Sequence, residues 1–381
     1  MVLAAAVGLE AVGIGVLFPL LASVQRADHL PTYGLGLMSG ASFFAGLVAQ
    51  LTVGPFLDGA RARRVLLGGL AMGAASQVWF ASVSSLWLLV CARAAGGVAF
   101  GIILPAALRQ AGSGRTGVER GRRLGRISAS MMAGITVGPL LGSVLYDVGG
   151  FRLPFLAVAL LLAGVLVAAA VTVPVAADPP DITGAPGVGS RRFAGVPFPL
   201  LVVVVLLGAA AQLPNGLYDA LWSRLLTDRG ASALLIGLSL TLFGAPFVVL
   251  APLGGRLAER RGPLLSAAIA LIVADGFMAS YGFVPSPVVI TLLGVGEACV
   301  QSVAIPGGYA LVARIFPQGR AATGQGWFGG AGTAAAGVAA VTGAPLYALV
   351  GSGAVFAGGA VLSATLAVSA VAVGRRRVDG D

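Results

Sequence analysis

The chain has 381 residues, of which 57% are apolar and 10% charged, and its mean hydropathy is +0.96. A soluble domain carries about 25% charged residues, so this composition excludes one. The net charge of +10 does not point to nucleic acid, because the basic residues are all arginines gathered in short loops between apolar runs, where they read as topology signals.

A membrane-crossing helix needs about 20 apolar residues. Twelve such runs follow one another, at roughly 2–24, 33–57, 64–83, 86–108, 124–146, 152–176, 198–220, 232–254, 263–284, 286–313, 322–347 and 352–374. The first begins at the first residues and shows no cleavable-looking signal segment. The long polar gap is ADPPDITGAPGVGSRRFAGV, rich in proline and glycine. It divides the chain into a first bundle of six spans (1–176), a cytoplasmic linker (177–196), and a second six-span bundle with a short cytoplasmic tail (197–381). The expected fold class is an all-α membrane protein of twelve transmembrane helices in two six-helix bundles.

Arginine counts orient the spans. Even-numbered loops, linker and tail hold 19 arginines, odd-numbered loops hold 4, and Arg93 lies inside a span. Positive charge stays on the cytoplasmic side, so both termini are expected in the cytoplasm.

Between the second and third spans lies Gly54–Arg64, GPFLDGARARR. A counterpart, GRLAERRGP, lies 201 residues later, between the eighth and ninth spans. Gly54 matches Gly255 and Asp58 matches Glu259; basic clusters follow, Arg63 and Arg64 in one copy and Arg260 in the other. A repeat of that length implies a duplicated bundle, its two halves related by an axis along the membrane normal. An acid at the inner end of a helix can face a neighbouring helix N-terminus. Contacts of that kind, made only when the halves close on one side, bias a two-state equilibrium. The other reading is that these arginines only fix topology.

The fourth span carries Leu89-x-x-x-Arg93-x-x-Gly96-Gly97, and the fifth carries Gly134-x-x-x-Gly138-Pro139-x-x-Gly142. Small residues let membrane helices approach closely, and Pro139 should kink its helix. With the repeated loop, these motifs resemble the major facilitator superfamily, and within it the twelve-helix drug/proton antiporters. The resemblance covers essentially the whole chain. Departures are Gly59 and Arg61 in the first loop, Gly96 where glutamine is usual, and Ser143 where a further glycine is usual. The resemblance implies the major facilitator fold. It places the first, fourth, seventh and tenth helices around a central cavity, and it associates the fifth-span motif with export.

Charges inside the membrane cost about 2.5–3.5 kcal/mol each on insertion scales, so each needs a reason. The candidates are Glu10, Arg93, Asp275 and Glu297. At 1.5 Å per residue across a 30 Å core, Glu10 and Arg93 differ by about 8 Å in height, within reach of two long side chains. An acid that gains and loses such a partner releases and binds a proton in turn, which makes the pair the candidate for proton coupling. The bland alternatives are an acid that reaches water and an arginine bonded to carbonyls. Glu297 and Gln301, four apart on the tenth span, share a face; Gln212, Asn215 and Asp219 form a second polar stripe on the seventh. Both stripes read as substrate cavity or as interhelical hydrogen bonding. Asp275, on the ninth span, reads as a packed acid.

His29 has no partners for a metal site, Cys91 and Cys299 fall inside apolar runs, and no Walker-type loop or catalytic triad is visible, so neither cofactor, metal nor enzymatic activity is expected. The reading is a secondary transporter in the cell membrane that exports small, mainly apolar compounds in exchange for protons by alternating access. An uptake symporter or facilitator on the same fold is the alternative. The expected partners are a small-molecule substrate, protons and membrane lipid, with no nucleic acid and a monomeric carrier.

Overall fold

In lipid every backbone polar group must be satisfied within the protein, and apolar runs punctuated by glycine, proline and arginine meet that demand as helices. The computed structural model describes residues 1–57, 61–112, 117–173, 196–316 and 321–378, and among them there is no strand. Asp58 and residues 177–195 of the linker lie outside the described residues, as does the side chain of Glu259.

The first span is broken. α1 (Val2–Gly15) passes through a single 3-10 turn, Phe18–Leu20, into α2 (Leu21–Ala27). Pro19 sits in that turn, where its missing N–H ends the regular hydrogen-bond ladder. There follow α3 (Thr32–Val53), α4 (Arg61–Ser82), α5 (Leu86–Gly112), α6 (Gly117–Gly149) and α7 (Arg152–Thr172). After the linker come α8 (Phe198–Asp228), α9 (Ala233–Arg261), α10 (Pro263–Tyr281), α11 (Pro287–Ile315) and α12 (Ala321–Val378).

Ten helical stretches among the described residues are long and apolar enough to cross a membrane. One of them, Thr323–Arg375, is 53 residues long. At 1.5 Å per residue that is about 80 Å, more than twice a hydrocarbon core, so it holds two crossings. They are separated at Gly351, whose φ of 82° and ψ of 171° a side chain would strain. α9 contributes the apolar segment Ala233–Phe247. With the 29-residue α9 counted as one crossing, the described residues give the twelve expected of the sequence. A second glycine with positive φ, Gly262 at 89°, turns the chain between α9 and α10 just before Pro263 begins the next helix.

The chain divides into two compact units, one of Met1–Ile182 with Trp222–Thr241, the other of Thr183–Leu221 with Leu242–Asp381. The division departs from the linker boundary at Trp222–Thr241, the end of α8 and the start of α9. Hydrogen bonds explain it. The Ser223 hydroxyl donates to Pro19 O at 3.0 Å and accepts from Ala22 N at 3.0 Å. Arg224 donates to Gln25 Oε1 at 2.9 Å, Ser143 to Ala233 O at 2.8 Å, and Thr241 to Thr136 O at 2.7 Å.

Within the first unit α1 and α6 meet backbone to backbone. A Cβ at Gly138 would lie 2.9 Å from Gly15 Cα and 3.0 Å from Val12 O; one at Gly134 would strike Gly8 O, and one at Gly142 would strike Val16 O. The fifth-span motif is therefore the contact face for the first span. The second unit repeats the seam between α8 and α12: Gly208 lies against Phe328 O, Gly216 against Ala336 O, and Gly332 against Gly208 O. The apolar core of this unit packs Val203, Val204 and Leu207 of α8 against Leu264 and Leu271 of α10, Leu311 of α11 and Phe328 of α12.

Candidate functional site

The first unit holds Glu10 at a helix junction. Its side chain is 1% exposed, and Oε2 has no hydrogen-bond partner. Glu10, Ser76, Gln77 and Arg93 line one cavity of about 20 Å³, walled by Phe80 and Phe155. That is room for about one water molecule. The phenyl rings of Phe80 and Phe155 lie 5.1 Å apart and close the cavity on its apolar side. α1 contributes the acid, α5 contributes Arg93, and α4 contributes the serine and the amide. Glu10 and Arg93 thus share a chamber. The carboxylate turns toward α4, where it lies against Gly73.

The second unit holds Glu297, also 1% exposed. Its environment is the opposite of that of Glu10. Oε1 accepts from Tyr218 Oη at 2.7 Å and from Gln301 Nε2 at 2.5 Å, and Oε2 accepts from Tyr281 Oη. The tyrosines belong to an aromatic group: Tyr218 and Phe356 stack at 6.4 Å between centroids, and Tyr281 and Phe356 meet edge to face at 6.2 Å. Three donors from α8, α10 and α11 converge on one buried carboxylate. Such an arrangement fixes the acid and ties three helices together.

The other candidates are distributed around these two centres. Gln301 belongs to the Glu297 cluster. On α8, Asn215 donates to Gln212, whose side chain packs over Gly332 of α12. Asp219 is 7% exposed. Asp275 is buried in the second unit beside Ser363, with Oδ2 unpartnered. Of the repeated-loop residues, Arg63 donates to Ala170 O of α7, which caps a carbonyl near the end of that helix. Arg64, Arg260 and Gly54 are exposed, and Gly255 lies 3.8 Å from Pro306 across a would-be Cβ. Gly134, Gly138 and Gly142 belong to the α1–α6 seam; Pro139 has its ring beside Gly15 of α1 and its carbonyl against Gly237 of α9.

Sequence reading missed Tyr218, Tyr281, Ser76 and Gln77. Tyr218 stands three residues after Asn215, on the same polar stripe, so periodicity could have added it. Gln77 is a polar residue in an apolar run and carried the same signal as Gln301. Tyr281 ends its span, where aromatic residues ordinarily mark the lipid interface.

Comparison with known proteins agrees with this architecture. The family model of the Major Facilitator Superfamily matches residues 3–214 and again 200–380. The class G tetracycline resistance protein of Vibrio anguillarum is 30% identical over 325 residues, 78% of this chain and 79% of that protein. Multidrug resistance protein 2 of Bacillus subtilis is 26% identical over 143 residues, 38% of this chain and 36% of that protein. Among solved structures, a bacterial homologue of the human lysosomal transporter Spinster, inward-facing and unoccupied, superposes with a TM-score of 0.76 at 15% identity, covering 98% of this chain and 94% of that one. The nucleoside transporter NupG gives a TM-score of 0.75 at 14% identity, covering 98% of each chain. At these identities the structural likeness shows the fold alone. Two matched halves, twelve crossings and a relative aligned over most of its length converge: the chain belongs to the Major Facilitator Superfamily and is a multi-pass membrane transporter of a small molecule rather than an enzyme.

Proposed function

We propose that the protein exports small, mainly apolar compounds across the cell membrane in exchange for protons, with both termini in the cytoplasm. The observation that carries this reading is Glu10. It is a buried acid on the first span, with one carboxylate oxygen unpartnered, in a chamber shared with Arg93. A buried acid without a fixed partner is the element a proton-driven cycle needs, because its proton is the one that can come and go. Glu297, held by three donors, is the fixed polar anchor of the second unit, with Gln212, Asn215, Asp219 and Gln301 around the substrate path. The repeated loops, with Gly54, Asp58, Arg63, Arg64, Gly255, Glu259 and Arg260, bias the alternation between states.

Relatives named for resistance to tetracycline and to multiple drugs support outward movement of a drug-like compound. So does the scarcity of hydrogen-bonding groups in the spans. The test is transport of tetracycline and of lipophilic cations into inverted membrane vesicles under an imposed proton gradient. Accumulation driven by an acidic interior, lost when the gradient is collapsed, is the expected result. Accumulation in the opposite vesicle orientation would instead identify an uptake carrier, and gradient-independent equilibration a facilitator.

A further inference from the structure

We infer that Gly73 is a positioning residue for Glu10: the bare backbone of α4 at this point is the seat on which the carboxylate rests when it is away from Arg93. The inference rests on the coupling role proposed for Glu10. A Cβ built at Gly73 would stand 3.0 Å from Glu10 Cδ and 3.1 Å from Oε1, with Oε2 nearer still. Real Cβ atoms do not tolerate that last contact, so any side chain at 73 evicts the carboxylate.

Neighbouring glycines set this position apart. Gly68 has nothing within 4 Å of its would-be Cβ, and Gly69 faces the flexible side chains of Ile102 and Ile103. Glycine within a helix is unfavourable relative to alanine, and at 73 the structure supplies a specific reason for it. The turn is also held in place, since Ser76 Oγ donates to Gly73 O at 2.8 Å. Ser76 then lines the same chamber as Glu10, Gln77 and Arg93, and Arg93 is the other charged group facing it. The third span, which is not one of the expected cavity helices, therefore presents a docking surface to the acid of the first. One side chain has two resting places within its reach: a neutral glycine backbone, and a guanidinium.

Eviction from the seat leaves the acid biased toward Arg93, and the defect is one of position. Shortening the acid by one methylene should relieve it. The experiment compares wild type, Gly73→Ala, the matched control Gly68→Ala, Glu10→Gln, Glu10→Asp, and the double variant Gly73→Ala/Glu10→Asp, all as full chains in proteoliposomes. Proton-driven tetracycline transport is one readout. Gly73→Ala is expected to lose on the order of 10–100-fold in rate, as misplacement of a functional group does, while Gly68→Ala keeps the wild-type rate. The double variant should recover most of the Gly73→Ala loss. The second readout needs no substrate. The infrared carboxyl band assigned to Glu10 by its loss in Glu10→Gln should move in Gly73→Ala and stay in place in Gly68→Ala.

An unmoved band overturns the inference whatever the transport assay gives, and so does a double variant no better than Gly73→Ala. Should Gly73→Ala fail to fold, restoration of folding by Glu10→Asp supports the seat, and failure of that rescue assigns Gly73 to packing alone. Wild-type transport by Glu10→Gln would sink the coupling reading itself, and the band would still report whether the carboxylate sits on Gly73.

Discussion

Replacing Tyr281 by phenylalanine removes a single oxygen and leaves the ring in place, so it isolates one hydrogen bond without opening a cavity. Oε2 of Glu297 has Tyr281 as its partner, whereas Oε1 is shared by Tyr218 and Gln301. The two tyrosines are therefore not equivalent. Tyr281→Phe strands one oxygen of an acid that is 1% exposed, and Tyr218→Phe leaves Oε1 with Gln301. A hydrogen bond to a charged group contributes about 1.5–3 kcal/mol, and stranding a buried acceptor places Tyr281→Phe at the upper end. Tyr218→Phe belongs at about 1–1.5 kcal/mol, the range of a bond whose acceptor keeps another donor. For a unit of this size each kcal/mol shifts the melting temperature by about 2–4 °C. The expected falls are about 5–10 °C for Tyr281→Phe and about 2–5 °C for Tyr218→Phe. The assay is thermal unfolding of the purified protein in detergent, followed by intrinsic fluorescence. Equal melting temperatures for the two variants, or a Tyr281→Phe protein that melts with wild type, would refute the reasoning.

Three further outcomes follow from the same geometry. Gly138→Leu forces apart α1 and α6, where a Cβ already meets Gly15 Cα at 2.9 Å; it should cost about 1–3 kcal/mol of stability yet abolish most transport, and wild-type efflux from a folded variant would count against it. Glu10→Gln and Arg93→Ala should each lose proton-driven efflux while retaining tetracycline binding, and their losses should not add in the double variant, because the two residues act in one chamber; additive losses separate them. Gly262→Ala places a side chain at φ 89° and should lower stability by about 1–2 kcal/mol with the arrangement of spans unchanged; a variant as stable as wild type would show that the turn has another solution.

The helices were legible because a bilayer imposes a length, and arginine placement checks the segmentation. Even the long α12 separates at the glycine between the expected eleventh and twelfth spans. Buried charges were legible too, since a charge in an apolar run declares itself: Glu10, Arg93 and Glu297 all lie in buried polar clusters. What each acid faces was not legible. A helix that is apolar on every side has no polar face to fix its rotation. Composition therefore could not tell that Glu10 turns to Gly73, or that Glu297 is met by two tyrosines. The gathering of Trp222–Thr241 with the first unit was equally out of reach, because it depends on serine and threonine hydroxyls meeting backbone carbonyls of helices far away in the chain.

The glycine seams have a mechanical consequence. Most helix pairs mesh like gears: side chains of one enter grooves of the other, and sliding requires every tooth to disengage. Along α1–α6 and α8–α12 the teeth are missing at the contact line, where Gly134 and Gly138 ride on α1, and Gly208, Gly216 and Gly332 form the track between α8 and α12. Backbone against backbone offers a smooth rail. A helix on such a rail can glide or tilt by a fraction of a turn with few side chains to repack, Gln212 over Gly332 among them. Each unit therefore contains its own bearing, and a bulky residue on that track acts as a brake while the surrounding core stays intact.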